Sequence, residues 1–244
     1  MHLQALDPKT ALLVREFGSG LSQPGFMLCG GTAVALWFGH RQSEDLDFLT
    51  PAPFNERELA SWLLTLPTGV SINECSAGTV NATVGGVRVQ YLHQQGVDME
   101  ADAKLGGMSI ANIETLSALK CNAMASRAAK KDFVDCFVMC HEGAGFPGLM
   151  QAAQRRAPAL NMRHVLRSFT YFDVADGEPA PVMLVPLDWT GVKAFFLDSV
   201  GRFLETELGV MGPMESTPCL DSESLDPEDG VESSPPEQGS GPDL

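Results

Sequence analysis

The sequence predicts an α/β (α+β) fold, in which a small mixed sheet with flanking helices precedes a helical subdomain. In the first part of the chain, short segments with strand periodicity alternate with helical segments, and later the apolar residues recur only at helical spacing. The last part is rich in Ser, Pro and Gly and poor in apolar residues. We therefore expect an α/β core at 1–108, a helical subdomain at 109–212 and a disordered acidic tail at 213–244.

The individual elements follow from periodicity and from end signals. Asp7 is suited to cap a first helix that has Pro8 in its first turn and runs to about Phe17. Strands are predicted at Gly25–Cys29, Asp45–Leu49, Val70–Cys75, Thr79–Val84 and Val87–Leu92. Helices are predicted at 33–38, 55–66, from about 112, and at 131–141, 147–156, 161–172 and 188–208.

Charge and composition exclude several classes of protein. The formal charge is −15, but nine of the acids lie in 213–244 without any Lys or Arg, which leaves −6 for 1–212. This acidity argues against a general nucleic-acid-binding protein but is compatible with a local basic pocket. No run of about eighteen apolar residues, no signal-peptide layout and no CxxC pair occurs, so we expect a cytoplasmic protein without a membrane partner.

The segment Phe26–Thr50 contains the residues best suited to chemistry. A strand leads into the glycine turn Gly30-Gly31, and Thr32 then opens a helix whose free N–H groups can bind phosphate. Asp45 and Asp47 follow on one face of the next strand. Two adjacent carboxylates repel each other unless a cation lies between them, and Mg²⁺ shared with substrate phosphates is the natural occupant.

A second block, at residues 119–135, combines basic and acidic residues. Lys120, Arg127 and Lys131 are seven and four residues apart, so they fall near one face if a helix continues through them. They could bind triphosphate oxygens, or they could form an ordinary solvated basic face. Spacing does not decide between Asp132 and Asp135 as a supporting acid.

These two blocks resemble the AbiEii/AbiGii-type nucleotidyltransferase toxins, within the DNA polymerase β-like nucleotidyltransferase superfamily. The first match is GGTAVALWFGHRQSEDLDF, and the second begins at Leu119-Lys120 and ends at Asp135. The resemblance implies a catalytic site formed by Asp45, Asp47, Lys120, Asp132 and Asp135. In this site, Asp45 and Asp47 also bind the metal ion. It implies a nucleotide-binding set of Gly30, Gly31, Thr32, Arg41, Ser43, Lys120 and Arg127. His40 and Arg41 could contact phosphate or the aspartate pair, or Arg41 could form a structural pair with an aspartate.

One position departs from the superfamily pattern. Many members use a third carboxylate on a later strand as general base, and the corresponding position here holds Gln90, two residues after Arg88. Glutamine can orient a nucleophile but cannot take its proton. The acids at positions 98, 100 and 102 could substitute only if the following loop folds back.

The resemblance implies a Mg²⁺-dependent enzyme that transfers a nucleoside monophosphate from an NTP to an acceptor. The acceptor could be tRNA, a protein side chain or a small molecule, and the biological role would be a toxin controlled by an antitoxin protein. With Gln90 in place of the acid, a catalytically inactive binding module is the alternative. A further basic group at Arg155, Arg156, Arg163 and Arg167 is either a solvated face or an acceptor surface for RNA.

Overall fold

The sheet is the framework of the computed structural model, which describes residues 1–208. Its seven strands run in the spatial order β3-β4-β5-β2-β1-β7-β6. They are β1 (Met27–Leu28), β2 (Leu46–Thr50), β3 (Val70–Ser76), β4 (Thr79–Val84), β5 (Val87–His93), β6 (Ala101–Leu105) and β7 (Met108–Ala111). The sheet is mixed, because β2 pairs parallel with β5 and β1 parallel with β7, while the other pairs are antiparallel.

Helices of the described residues pack against this sheet and continue beyond it. They are α1 (Pro8–Leu21), α2 (Gly30–Phe38), α3 (Glu56–Leu63), α4 (Ile113–Ser126), α5 (Lys130–His141), α6 (Gly145–Arg156), α7 (Met162–Ser168), α8 (Asp173–Gly177) and α9 (Trp189–Leu208). Several begin where the sequence predicts. The side chains of Asp7, Asn55 and Asn112 accept hydrogen bonds from backbone N–H groups in the first turns of α1, α3 and α4.

The burial pattern along the strands shows how the sheet contacts the hydrophobic core. Every second residue of β4 is buried, as expected for a strand that presents one face to the core. β2 is more deeply buried, since Leu46 and Phe48 are essentially inaccessible and lie in the hydrophobic core. The mixed α/β prediction is therefore confirmed.

Some boundaries differ from the prediction. The sequence-based assignment missed β6 and β7, although Gly106-Gly107 joins them in a hairpin with positive φ at both residues (56° and 90°). α2 begins at Gly30 rather than at residue 33, because the glycine turn itself forms its first turn. The helix expected at 161–172 ends at Ser168, and the short α8 follows.

After β7, every regular element within the described residues is a helix. The division of the chain at residue 108 stays a prediction, and the tail expected at 213–244 lies outside the described residues. Within 1–208, no helix combines the length and the apolar composition that a membrane span requires.

Candidate active site

A cavity of about 340 Å³ lies where the start of α2, the start of β2, β5 and the α4–α5 junction meet. The predicted residues that line it are Gly30, Gly31, Thr32, Arg41, Ser43, Asp45, Asp47, Lys120 and Arg127. They come from segments up to about a hundred residues apart in sequence. The fold therefore brings the two predicted blocks together in one cavity.

The two carboxylates of β2 differ in their surroundings. Asp45 is one-third exposed and forms an ion pair with Arg88 of β5. Asp47 is more buried, and burial together with the negative charge of Asp45 raises its pKa above the usual value. Among the described residues, its Oδ1 atom is buried without a hydrogen-bond partner.

An orphaned buried carboxylate oxygen beside a second carboxylate fits a divalent cation. Within residues 1–208, no group of three or more His, Cys, Asp or Glu side chains could hold a metal ion. A cation bound by Asp45 and Asp47 would therefore take its other ligands from substrate phosphates and water, as Mg²⁺ commonly does.

The glycine turn is sterically required. Gly30 has φ of +65°, and a Cβ atom there would overlap the carboxylate of Asp47. A Cβ atom on Gly31 would overlap the guanidinium of Arg41. The first free N–H groups of α2 consequently lie next to the carboxylate pair, where a phosphate can approach the backbone.

The hydroxyl groups of Thr32 and Ser43 serve the structure of this turn. Their oxygen atoms are 2.8 Å apart and hydrogen-bonded, and the Thr32 hydroxyl also donates to the backbone carbonyl of Asp45. Both side chains are buried, although both residues line the cavity. These bonds fix the start of α2 against the start of β2.

Asp135 lies beneath the cavity and is completely buried. Its carboxylate accepts hydrogen bonds from His40 Nε2 (2.8 Å) and from Arg41 Nε and Nη2 (2.7 and 2.9 Å). Lys120 Nζ lies 2.5 Å from its second oxygen. Burial acts to raise the pKa of Asp135, but the charges of Lys120 and Arg41 outweigh burial and hold that pKa well below its usual range.

Asp132 holds the other side of the same group of cations. It accepts hydrogen bonds from Lys120 Nζ (3.0 Å) and Arg127 Nε (2.8 Å). Burial acts to lower the pKa of Lys120, but the negative charges of Asp135 and Asp132 outweigh it, so that pKa is raised and the ammonium stays charged. Neither aspartate lines the cavity; both position cations that do.

The basic residues converge without sharing one helix. α4 ends at Ser126, and Ala128, with φ of +46°, separates it from α5. Lys120, Arg127 and Lys131 nevertheless all line the cavity, because α4 and α5 pack against each other. The helix therefore does not continue through the three residues as the spacing argument required, but their side chains still lie close together.

Gln90 occupies the place expected of the third carboxylate. It lies directly beside Asp47 in the parallel register of β5 and β2, and it lines the cavity. Its Nε2 donates to Asn81 Oδ1 at 2.9 Å, which leaves Oε1 as an acceptor. Among the candidate substitutes, Asp98 and Glu100 bind Arg156 and do not line this cavity.

Two features of the site were missed or only partly foreseen. Arg88 lines the mouth of the cavity, and its position two residues before Gln90 on one strand face indicated this. Residues 180–182 also line it, held by a hydrogen bond from Gln42 N to Val182 O (2.8 Å), and no sequence pattern indicated that contact.

In the further basic group, Arg155 and Arg156 form ion pairs with Glu114 and other acids.

The family model described as "Nucleotidyl transferase AbiEii toxin, Type IV TA system" matches residues 11–104. Residues 11–104 are therefore similar to the AbiEii family. The AbiEii match includes the glycine turn, the aspartate pair and Gln90, but it covers less than half of the chain. Lys120, Asp132 and Asp135 lie outside it and are placed at the site by the fold alone.

Similarities to individual known proteins cover more of the chain. An uncharacterised protein of Aquifex aeolicus is 26% identical over 185 residues, which cover 74% of this chain and 88% of that protein. The nucleotidyltransferase toxin MenT4 from Mycobacterium tuberculosis shares the fold, with a TM-score of 0.50 and 15% identity over 82% of this chain and 86% of MenT4. JHP933 from Helicobacter pylori has a TM-score of 0.45 and 18% identity, with coverage of 81% and 93%.

Proposed function

We propose that the chain is a Mg²⁺-dependent nucleotidyltransferase that transfers a nucleoside monophosphate from an NTP to an acceptor and releases pyrophosphate. One observation carries the proposal. A carboxylate pair, a helix start with free N–H groups and five cationic side chains line one cavity of about 340 Å³. Phosphoryl transfer needs these groups, because its catalysis rests on positioning and on offsetting phosphate charge.

Asp45 and Asp47 hold the metal ion in this proposal. These two carboxylates would hold Mg²⁺, which would supply positive charge to offset the negative charge that develops during transfer. The orphaned Oδ1 atom of Asp47 supports this assignment. Asp45 supplies the second carboxylate, which forms an ion pair with Arg88.

The triphosphate lies against α2 and the basic side chains. The N–H groups at Gly30, Gly31 and Thr32 donate to its oxygens, as at other helix N-termini that bind phosphate. Lys120 and Arg127 face the same cavity. They stay charged because Asp132 and Asp135 raise their pKa values by more than burial lowers them. The two aspartates are thus positioning residues.

Gln90 orients the acceptor hydroxyl through its free Oε1 atom. A carboxamide accepts a hydrogen bond from a hydroxyl but does not take the proton. We therefore expect slower chemistry than in relatives that carry a carboxylate at this position.

The biological role proposed is that of a cytoplasmic toxin controlled by an antitoxin protein. The AbiEii match supports the toxin assignment. The candidate acceptors are tRNA, a protein side chain and a small molecule, and they are distinguished by the experiment below.

The test incubates the full-length chain with radiolabelled NTPs and Mg²⁺, and with total tRNA, a cell-protein extract or an aminoglycoside as separate acceptors. Transfer by the wild type that is lost in Asp47→Ala and kept in the exposed-site control Asp198→Ala supports the enzyme. The label identifies the acceptor class by gel and by mass spectrometry.

The second candidate function is a catalytically inactive nucleotidyltransferase fold that binds NTP or a partner protein. Gln90 in place of the expected acid favours it. NTP binding without transfer to any acceptor would support this alternative, and restoration of transfer by Gln90→Glu would identify the missing base. A chain that binds neither Mg²⁺ nor NTP would contradict the enzyme and would leave only the binding of a partner protein.

A further inference from the structure

A second cavity, of about 220 Å³, adjoins the candidate active site. The two cavities share the residues at their boundary, which are Gly30, Asp47, Gln90, Lys120 and Arg127. They are therefore two parts of one cleft, with the metal-binding carboxylate Asp47 between them.

The two parts of the cleft differ in chemistry. Apart from the shared residues, the first part is lined by charged and polar groups that include Arg41, Arg88 and Lys131. The unshared lining of the second part carries no charged residue and includes the side chains of Leu49, Leu92, Leu116 and Leu119. Phosphate is suited to the first part, and an uncharged, largely apolar group is suited to the second.

Polar groups in the second part are amides and one hydroxyl. Gln94 Nε2 donates to the backbone carbonyl of Gln95 at 3.0 Å, so its Oε1 remains an acceptor. Within the described residues, no hydrogen bond engages the side-chain amide of Asn122, which lies on one face of α4 with Leu119 and Ser126. An amide offers both donors and acceptors, which is what the edge of a nucleobase requires.

We propose that this neutral cavity, defined by Gln94, Asn122 and the four leucines, binds the base of the NTP. The proposal rests on the proposed function, since it assigns the nucleoside to the part of the cleft that adjoins the triphosphate. Its volume is below the ~300 Å³ at which pockets for drug-sized ligands begin, so it holds a fragment of a ligand such as a single base. An RNA backbone would call for cations, and the unshared lining has none.

The test compares ligands with and without a base. Dissociation constants of the four NTPs and of inorganic tripolyphosphate are measured by calorimetry with Mg²⁺, for the wild type and for Asn122→Leu. Leucine keeps the branched shape of asparagine and removes its hydrogen-bonding groups, so we expect affinity for the preferred NTP to fall about three- to tenfold. Tripolyphosphate affinity should change less than about twofold, because that ligand needs only the charged part.

Two further variants serve as a control outside the cavity and as a second test of the cavity itself. Gln95→Leu makes the same chemical change at an exposed neighbouring residue outside the cavity and should leave every ligand unaffected. Leu119→Trp fills the cavity and should weaken all four NTPs while tripolyphosphate still binds. Thermal unfolding of each variant verifies that it is folded.

The outcomes separate the two proposals. If Asn122→Leu and Leu119→Trp leave the ratio of NTP to tripolyphosphate affinity unchanged, the cavity does not bind the base. If they impair only transfer to the acceptor, the cavity is an acceptor site and the assignment is wrong. If the wild type binds tripolyphosphate but no NTP more tightly, the base assignment fails while the phosphate site stands; if it binds neither, the proposed function itself fails.

Discussion

Replacing Asp135 by asparagine tests whether one buried carboxylate holds the cationic side of the cleft in place. The substitution keeps the size of the side chain and removes its negative charge. Arg41 would then be buried without a carboxylate partner among the described residues, while Lys120 would keep its contact with Asp132 at 3.0 Å. The loss should therefore come mainly from Arg41 and from the hydrogen bond to His40.

Removing one partner of a buried ion pair costs about 3–5 kcal/mol, because the remaining charge is left uncompensated. Because Lys120 keeps its contact with Asp132, we expect the free energy of unfolding to fall by about 3 kcal/mol, near the lower end of this range. For a chain of this size, that corresponds to a fall in Tm of roughly 6–12 °C. Affinity for inorganic tripolyphosphate should also fall, since Arg41 and Lys120 line the phosphate part of the cleft.

Urea denaturation and calorimetry at neutral pH measure both effects. The matched control is Asp198→Asn, an exposed residue that pairs with Arg202 one helical turn away at 3.0 Å. It should stay within about 0.5 kcal/mol of the wild type, as exposed pairs do. A free energy of unfolding for Asp135→Asn within about 1 kcal/mol of the wild type would refute the reasoning.

Three further predictions concern the same site. Gly30→Ala should destabilise the chain more than Gly86→Ala does, since both have positive φ (+65° and +80°) but only the former Cβ meets Asp47; equal Tm values would contradict this. Asp47→Asn should raise Tm without Mg²⁺, because the buried carboxylate with its raised pKa is removed, and should abolish stabilisation by Mg²⁺ and NTP in a thermal-shift assay. The pKa of Asp135 is lowered on folding, so its stabilisation is present above about pH 4 and is lost as the pH falls through the lowered pKa. The stability difference between wild type and Asp135→Asn should accordingly shrink in acid, and a constant difference down to about pH 2 would count against the ion pairs.

The sequence predicts which residues of the first block lie together in the cavity, because that block is local. Gly30, Asp45 and Asp47 belong to one strand–turn–helix–strand segment, whose geometry follows from a glycine turn and a period of two. Gln90 could also be placed, since β5 alternates regularly and pairs in register with β2.

Tertiary packing decides the rest. Spacing in α5 cannot distinguish Asp132 from Asp135, because their roles depend on which cations other segments bring to them. Arg155 and Arg156 suggest a basic surface in sequence, but the fold places Glu114 and other acids against them. Residues 180–182 reach the cavity through a backbone contact that leaves no trace in side-chain pattern.

The convergence of three side chains from two separate segments on Asp135 also constrains how such a chain can change over time. His40 and Arg41 lie between α2 and β2, Lys120 lies on α4, and each donates to or pairs with the same oxygen atoms of α5. Replacing Asp135 would leave Arg41 buried without a carboxylate partner among the described residues, and replacing any of the three others would remove one partner of the buried carboxylate, so single replacements are disfavoured. We expect relatives to keep all four together or to replace them together, and such joint replacement would identify this network in sequences whose overall identity is low.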